Sequence, residues 1–413
     1  MKLSAELVEG ARISGEAIRA NLLRSVLTTL GVVIGIVTVT LMATALQGLN
    51  GAFQDAVSFL GTDVLYVDQR EWSIGSNKKW DSTAKRSKIT LAQVRRVERM
   101  LGGMKGIAPT VMHSIESVRH ENRSSSMVML IGTTEQFLVT GGITVAAGRF
   151  ISRAEANANR DVCVIGADIA ENLFPGVSAL GQKIRARDES LEVVGVLEKR
   201  GNVLGGMSLD SQVIIPIGKM IASFRSDPSC TIQVKVGDPT RTAAVREELR
   251  GILRKVRRVP AGQEDDFAIN QQEQLLEQFR KVSAVIATSG FFITGLSLFV
   301  GGIGIMNIMF VSVAERTHEI GIRKAIGARR RTILLQFLLE AASICLLGGL
   351  IALILAAALV ALTRQLIPAF KVSLSGEVVL LALIVALVTG LVSGFLPAWR
   401  AARMSPVEAL RHE

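Results

Sequence analysis

The chain has 413 residues, 49% hydrophobic and 20% charged, with a mean hydropathy of +0.39. That is too apolar for a soluble protein and too charged for one held wholly in lipid, so membrane and aqueous parts must share it. The net charge of +11 suggests nucleic acid, but residues 51–280 hold 31 Lys and Arg against 27 Asp and Glu, and no basic stripe interleaved with aromatics stands out, which excludes that partner.

Residues 1–24 read as a cytoplasmic segment carrying Arg12, Arg19 and Arg24. A charge-free run follows, and its apolar part from Val26 to Leu46 has about the 20 residues needed to span hydrocarbon. The first membrane helix is therefore set at 25–48. Ala43-Thr44-Ala45 imitates a signal cleavage site, but the apolar stretch exceeds the usual signal core, which favours an uncleaved anchor. Leu49, Phe53, Val57 and Leu60 keep helical spacing beyond the membrane, and Leu275, Leu276, Phe279 and Val282 do the same before the next apolar run. These two pieces are expected to form a stalk.

Between them, residues 49–280 make an extracytoplasmic α+β domain, long enough for two subdomains. Ile89-Thr90-Leu91-Ala92-Gln93-Val94 reads as a strand end followed by a capped helix running to about Leu101. Val128–Ile131, Asp161–Ile165, Glu192–Leu197, Val213–Pro216 and Thr231–Val236 are strand-prone runs, and Asp238–Val256 is a charged amphipathic helix. The polar stretch 69–88, with Trp72 and Trp80, reads as a loop.

The second membrane helix is set at 281–314, the third at 333–363 and the fourth at 378–399, with a short external connection at 364–377 and a cytoplasmic tail at 400–413. Pro397 is expected to close the fourth, and Ser405-Pro406-Val407-Glu408 to start a short helix. Glu340 is placed at the interface near Arg331. Gly31 with Gly35, and Gly390 with Gly394, give the small-xxx-small spacing that lets helices approach in lipid, either within the chain or between subunits. The three predicted inner-face segments, 1–24, 315–332 and 400–413, hold 13 Lys and Arg against 7 Asp and Glu. The positive-inside rule then puts both termini in the cytoplasm.

The stretch 315–332, ERTHEIGIRKAIGARRRT, carries the most information. As a short helix it pairs Glu319 with Arg323 at i,i+4 and gathers Ile322, Ala325 and Ile326 on a face that something must cover, while Gly321 and Gly327 keep it short. From the residues alone it is either a partner's docking helix or a solvated loop whose arginines fix topology. The run AERTHEIGIRKAIGARRRTILLQFLLEA closely resembles a segment of the MacB/FtsX-type (type VII) ABC transporter permeases. RANLLRSVLTTLGVVIGI near one end and LPAWRAARMSPVEALRHE at the other resemble the same family. GTTEQFLVTGGITVAAGRFIS, VIGADIAENLFPGVSALGQKIRA and LEVVGVLEKRG resemble its periplasmic domain more loosely.

The resemblance implies a membrane protein of four transmembrane helices whose large extracytoplasmic domain lies between helices 1 and 2, with a porter-like part and an inserted subdomain near 155–219. It implies a coupling helix contacting an ABC ATPase through Glu315, Arg316, Glu319, Ile320, Ile322, Arg323 and Lys324. It also implies two ATPase subunits, a second copy of the permease, and an adaptor and outer-membrane duct in an inner-membrane efflux system that moves a drug, peptide or lipophilic substrate. FtsX-like signalling to a cell-wall hydrolase and lipoprotein extraction like that of the LolC/LolE branch are the alternatives. Charge reversal at Arg323 with Lys324 is expected to abolish ATPase binding without unfolding.

No phosphate-cradling motif occurs, since Gly218-Lys219 runs into Met220, so ATP and Mg are expected on the partner, with no cofactor here. His113, His120, His318 and His412 are not spaced as ligands, and no catalytic set stands out. Cys163, Cys230 and Cys345 are too few and scattered for a disulfide framework or metal site; only Cys163 and Cys230 share a compartment, and whether they pair stays open.

Overall fold

The computed structural model describes residues 22–73, 86–201, 208–224, 228–366 and 372–411. Arg12, Arg19, Trp80 and His412 lie outside the described residues. The chain divides into two compact units, one of residues 52–281 and the other of the segments up to 51 and from 282 onward. The principal helices are α1 Leu22–Ser58, α2 Leu91–Met100, α3 Ala167–Leu173, α4 Thr242–Arg257, α5 Gln272–Glu315, α6 Thr317–Ala325, α7 Arg330–Leu366, α8 Gly376–Arg403 and α9 Pro406–Arg411.

In the membrane unit, α1, α5, α7 and α8 are each long and apolar enough to cross a bilayer. Their closest approaches are made by small residues. A Cβ on Gly390 of α8 would stand 2.9 Å from Ala341 O and Ala342 Cα of α7, and one on Gly394 would stand 2.4 Å from the Ala341 Cβ. Gly31 of α1 meets the Gly301 Cα of α5 at 3.1 Å from its own would-be Cβ, and Gly35 meets Leu298. All four glycines of the two small-xxx-small pairs thus sit at close helix contacts within this chain, the arrangement that dispersion rewards in lipid. Sequence spacing overlooked Gly301 and Gly302, the latter against Ser393 Oγ at 2.6 Å from its would-be Cβ.

One expectation in this unit changes. Helix α8 does not end at Pro397 but continues to Arg403. The proline withholds an N–H from the carbonyl four residues back, a loss that membrane helices tolerate where neighbouring groups take up the freed carbonyl. Glu340 is buried, at 6% exposure, and its partner is Arg316 at 3.4 Å.

The unit of residues 52–281 is an α+β domain on a ten-stranded sheet. Its strands are β1 Val64–Asp68, β2 Gly106–His120, β3 Arg123–Thr133, β4 Val145–Gly148, β5 Val162–Ile165, β6 Lys183–Ala186, β7 Glu189–Leu197, β8 Gln212–Pro216, β9 Thr231–Lys235 and β10 Ala268–Asn270. The order is β10-β1-β9-β2-β3-β8-β5-β7-β4, with β6 bridging β2 and β7. The long strand β2 joins two parts. Its Gly106–Thr110 half pairs antiparallel with β9, and from Val111 onward it pairs with β3. The second part takes in β3 and β4, which pair with β8 and β7.

Strand alternation sorts side chains between two cores. Cys163 and Ile165 of β5, with Val213 and Ile215 of β8, enter the larger core shared with α2 and α4, while Val164 and Ile214 enter a smaller one with Ile131, Phe137 and Phe150. The tight β5–α3 turn needs Gly166, whose Cβ would lie 2.1 Å from Asp210 O. Thr90 caps α2 through a full capping box with Gln93. The C-terminal turn of α4 is held by Arg257, 1% exposed at its side chain, which bonds Asp266 at 2.6 Å and the carbonyl of Ser87 at 2.9 Å. At the other edge of this unit the end of α1 meets the start of α5: the Phe53 and Phe279 rings stack at 4.0 Å between centroids, with planes 6° apart. These are the two apolar stripes read as a stalk. Cys163 and Cys230 are both buried free thiols, not a disulfide.

Candidate functional site: a short helix fastened to the membrane unit

Helix α6 is nine residues of THEIGIRKA, with an acidic residue in its first turn and Arg323 and Lys324 in its last, the order that suits the helix dipole. Gly327 ends it. With φ of +97° that glycine enters a region other residues avoid, its N–H donates to Lys324 O at 3.1 Å, and the Ala328 N–H donates to Arg323 O at 2.9 Å. This 5→2 and 6→1 pair is the Schellman closure, which satisfies carbonyls otherwise left open.

Three side chains on one stripe, at i, i+4 and i+8, fasten the helix to its own chain. Arg316, just before α6, reaches Glu340 of α7. Ile320 is 2% exposed and belongs to the core of the membrane unit with Phe337 and Ala401. The Lys324 ammonium donates to the carbonyls of Ala402, at 2.9 Å, and Met404, at the open C-terminal end of α8. Burial, with the nearby Arg330 charge, lowers the Lys324 pKa below that of a free lysine. Helix α9 packs against α6.

The opposite stripe faces out. Glu315, His318, Glu319, Ile322, Arg323, Ala325 and Ile326 are exposed, Ile322 at 45% and Ile326 at 81%. Glu319 and Arg323 form their i,i+4 pair at 3.8 Å, and Arg323 also donates to Gln336 Oε1 of α7 at 2.8 Å. Of the seven residues expected to touch a partner, Arg316, Ile320 and Lys324 therefore turn inward. Reversing Arg323 with Lys324 would also unfasten the end of α8, so that pair of substitutions is not a clean test of docking.

Four membrane-crossing helices, an α+β domain between the first two and a short amphipathic helix between the second and third define a multi-pass membrane protein of the permease class. The model of the MacB-like periplasmic core domain matches residues 25–252, and that of the FtsX-like permease C-terminal region matches residues 291–406. The chain belongs to the MacB/FtsX-type family of ABC transporter permeases. It is 31% identical, over 98% of its own length and 100% of the relative's, to the uncharacterized ABC transporter permease YknZ of Bacillus subtilis (strain 168). It is also 31% identical to the macrolide export ATP-binding/permease protein MacB of Bdellovibrio bacteriovorus, of which it covers 62%, and 33% identical to that of Azoarcus sp. (strain BH72), of which it covers 60%. The chain thus spans about three fifths of these MacB relatives. Among solved structures, the periplasmic region of MacB from Actinobacillus actinomycetemcomitans aligns with 54% of the chain and 95% of that structure, at a TM-score of 0.45 and 14% identity.

Proposed function

We propose that the chain is the permease subunit of an ABC-type export system in a bacterial inner membrane, with its termini inside and residues 52–281 outside. A separate ATPase, loaded with ATP and Mg, docks on the outward stripe of α6. Closure of the ATPase pushes that helix, and the push travels along α5 and α1, each an unbroken helix, into the external domain, which moves a drug, peptide or lipophilic molecule outward. The dimeric habit of ABC ATPases calls for two of them and for a second copy of this chain; an adaptor and outer duct would complete the path. The observation that carries this reading is the division of α6: one stripe bolted to α7 and α8, the other offering Glu319, Ile322 and Ile326 to a partner. A helix fastened on one side passes on a push received on the other instead of swinging free.

A labelling experiment tests it. All three native cysteines are buried, so an Ile326→Cys thiol is the one a polar maleimide should find. It should react only when the inner face is opened, and added ATPase should protect it. Reaction from the outer face, or reaction indifferent to the ATPase, refutes the proposal.

A further inference from the structure

The external unit holds a cavity of about 1120 Å³ that sequence reading did not find. It lies between the two parts of the domain: Tyr66 and Gln233 come from strands β1 and β9, Met129 and Ile131 from β3, and Phe59 and Leu60 directly follow the last turn of α1. The Tyr66 hydroxyl donates to Leu60 O at 2.7 Å, which ties that turn to the cavity wall, and burial pushes the phenol's pKa up so that it stays a donor. The volume exceeds the roughly 300–1,000 Å³ usual for drug-sized ligands.

The wall has three kinds of chemistry. Phe59, Tyr66 and Phe137 supply aromatic surface, and Met112, Met127 and Met129 supply polarizable thioethers that adapt to more than one shape. Hydroxyls of Ser114, Ser124, Ser126 and Ser211 are spread among them. Of its charged residues, Glu116 and Asp168 outnumber Arg200, and the Asp168 carboxylate takes a hydrogen bond from the Ser208 hydroxyl. Strand β3 is paired on both sides, with β2 and β8, so it offers no free edge to an added peptide strand. What remains is a space for a compact molecule. Two carboxylates against one guanidinium, beside aromatic rings whose faces attract cations, select its charge.

The geometry points to this cavity as a binding site for an amphipathic organic cation, with an apolar body against the methionines and rings and its positive end toward Glu116. The inference deepens the export reading by giving the exported molecule a chemical class and a resting place. Because the walls come from both parts of the domain and from the end of α1, any shift between them changes the cavity.

The test uses the full chain in lipid nanodiscs without any ATPase, so its failure is distinct from failure of docking at α6. The probes are rhodamine 6G, a cationic amphiphile, and Nile red, an uncharged one, both followed by fluorescence anisotropy against empty nanodiscs. Wild type should bind rhodamine 6G saturably. Ser114→Trp and Ser126→Trp, two independent fillings from exposed strand positions, should each weaken it at least tenfold, while Glu247→Trp on the exposed face of α4 should not. Glu116→Gln should weaken rhodamine 6G severalfold and leave Nile red unchanged. No saturable binding by wild type, equal binding by both filled variants, or equal loss of both dyes in Glu116→Gln overturns the assignment.

Discussion

If the outward stripe of α6 is a docking surface, its two exposed isoleucines carry much of the contact, and replacing both with glutamine measures how much. Glutamine keeps the charge and is a good helix former, so the change removes apolar area and little else. An isoleucine taken from exposure to full burial contributes roughly 1.5–3 kcal/mol. Ile322 and Ile326 retain 45% and 81% of their surface, somewhat more than one whole side chain between them. Docking then loses about 2–4 kcal/mol per helix, a rise in Kd of roughly 30-fold to nearly 1,000-fold. Folding should be nearly untouched, because surface substitutions of this kind stay within about 0.5 kcal/mol. Ile320→Gln is the contrast: a buried side chain lost and an amide left among Phe337 and Ala401, so the protein itself should destabilise. The assay is titration of the ATPase onto nanodisc-held permease, with a thermal melt of each variant. A Kd within threefold of wild type for the double variant, at an unchanged melt, would refute the docking argument.

Other outcomes follow from the same geometry. Gly390→Val should lower thermal stability by about 1–3 kcal/mol, since its Cβ meets Ala341 O and Ala342 Cα at 2.9 Å, whereas Gly51→Ala, with nothing within 4 Å, should not; melts in detergent decide. Lys324→Met leaves the Ala402 and Met404 carbonyls without their donor, so amide exchange across residues 403–411 should quicken, and unchanged exchange would count against the fastening. Glu155 is gripped by both guanidinium nitrogens of Arg149 at 2.7 Å, which brings its pKa down to about 2. A lowered carboxylate pKa stabilises above the unfolded value, and that share is lost as pH falls toward 2; Glu155→Gln should erase this slope, with about 1 kcal/mol for a pair open to solvent. Burial raises the Cys163 thiol and pushes Cys230 up to about 11, so neither should alkylate at neutral pH until the domain is unfolded, as mass spectrometry can show.

The membrane helices were legible because charge-free runs of bilayer length have few other uses, and the capped helix at Thr90 because its two polar residues sit at the spacing a cap requires. Strands made of contiguous β-branched residues, such as those at 162–165 and 213–216, were legible too. Strand β2 was not: Met112, Ser114, Glu116 and Arg119 face outward along it, and Pro109 argues against a ladder, yet the proline is accommodated beside Ile232. The partners of β3 and β4 were hidden because strand pairing is a non-local choice. The cavity was hidden for the same reason, with walls drawn from residues 59 to 233. The division of α6 was present in the spacing. Arg316, Ile320 and Lys324 form an i, i+4, i+8 stripe, and Glu315, Glu319, Ile322 and Ile326 form the other; matching a family motif residue by residue passed over the helical wheel.

In the membrane unit small residues mark the closest helix contacts and many large ones face outward, and this bears on the second copy. Glycine, alanine and serine stand at the closest approaches between α1, α5, α7 and α8, beside buried Ile36, Met309 and Phe337, while Phe291, Phe292, Leu296, Phe299 and Val300 of α5 are more than half exposed. Lipid is as apolar as leucine, so large side chains lose nothing by facing it, and small ones gain contact by facing a neighbouring backbone. The exposed α5 face is therefore no defect in the fold. It can rest in lipid or meet another copy without rebuilding the seam between the helices of one chain.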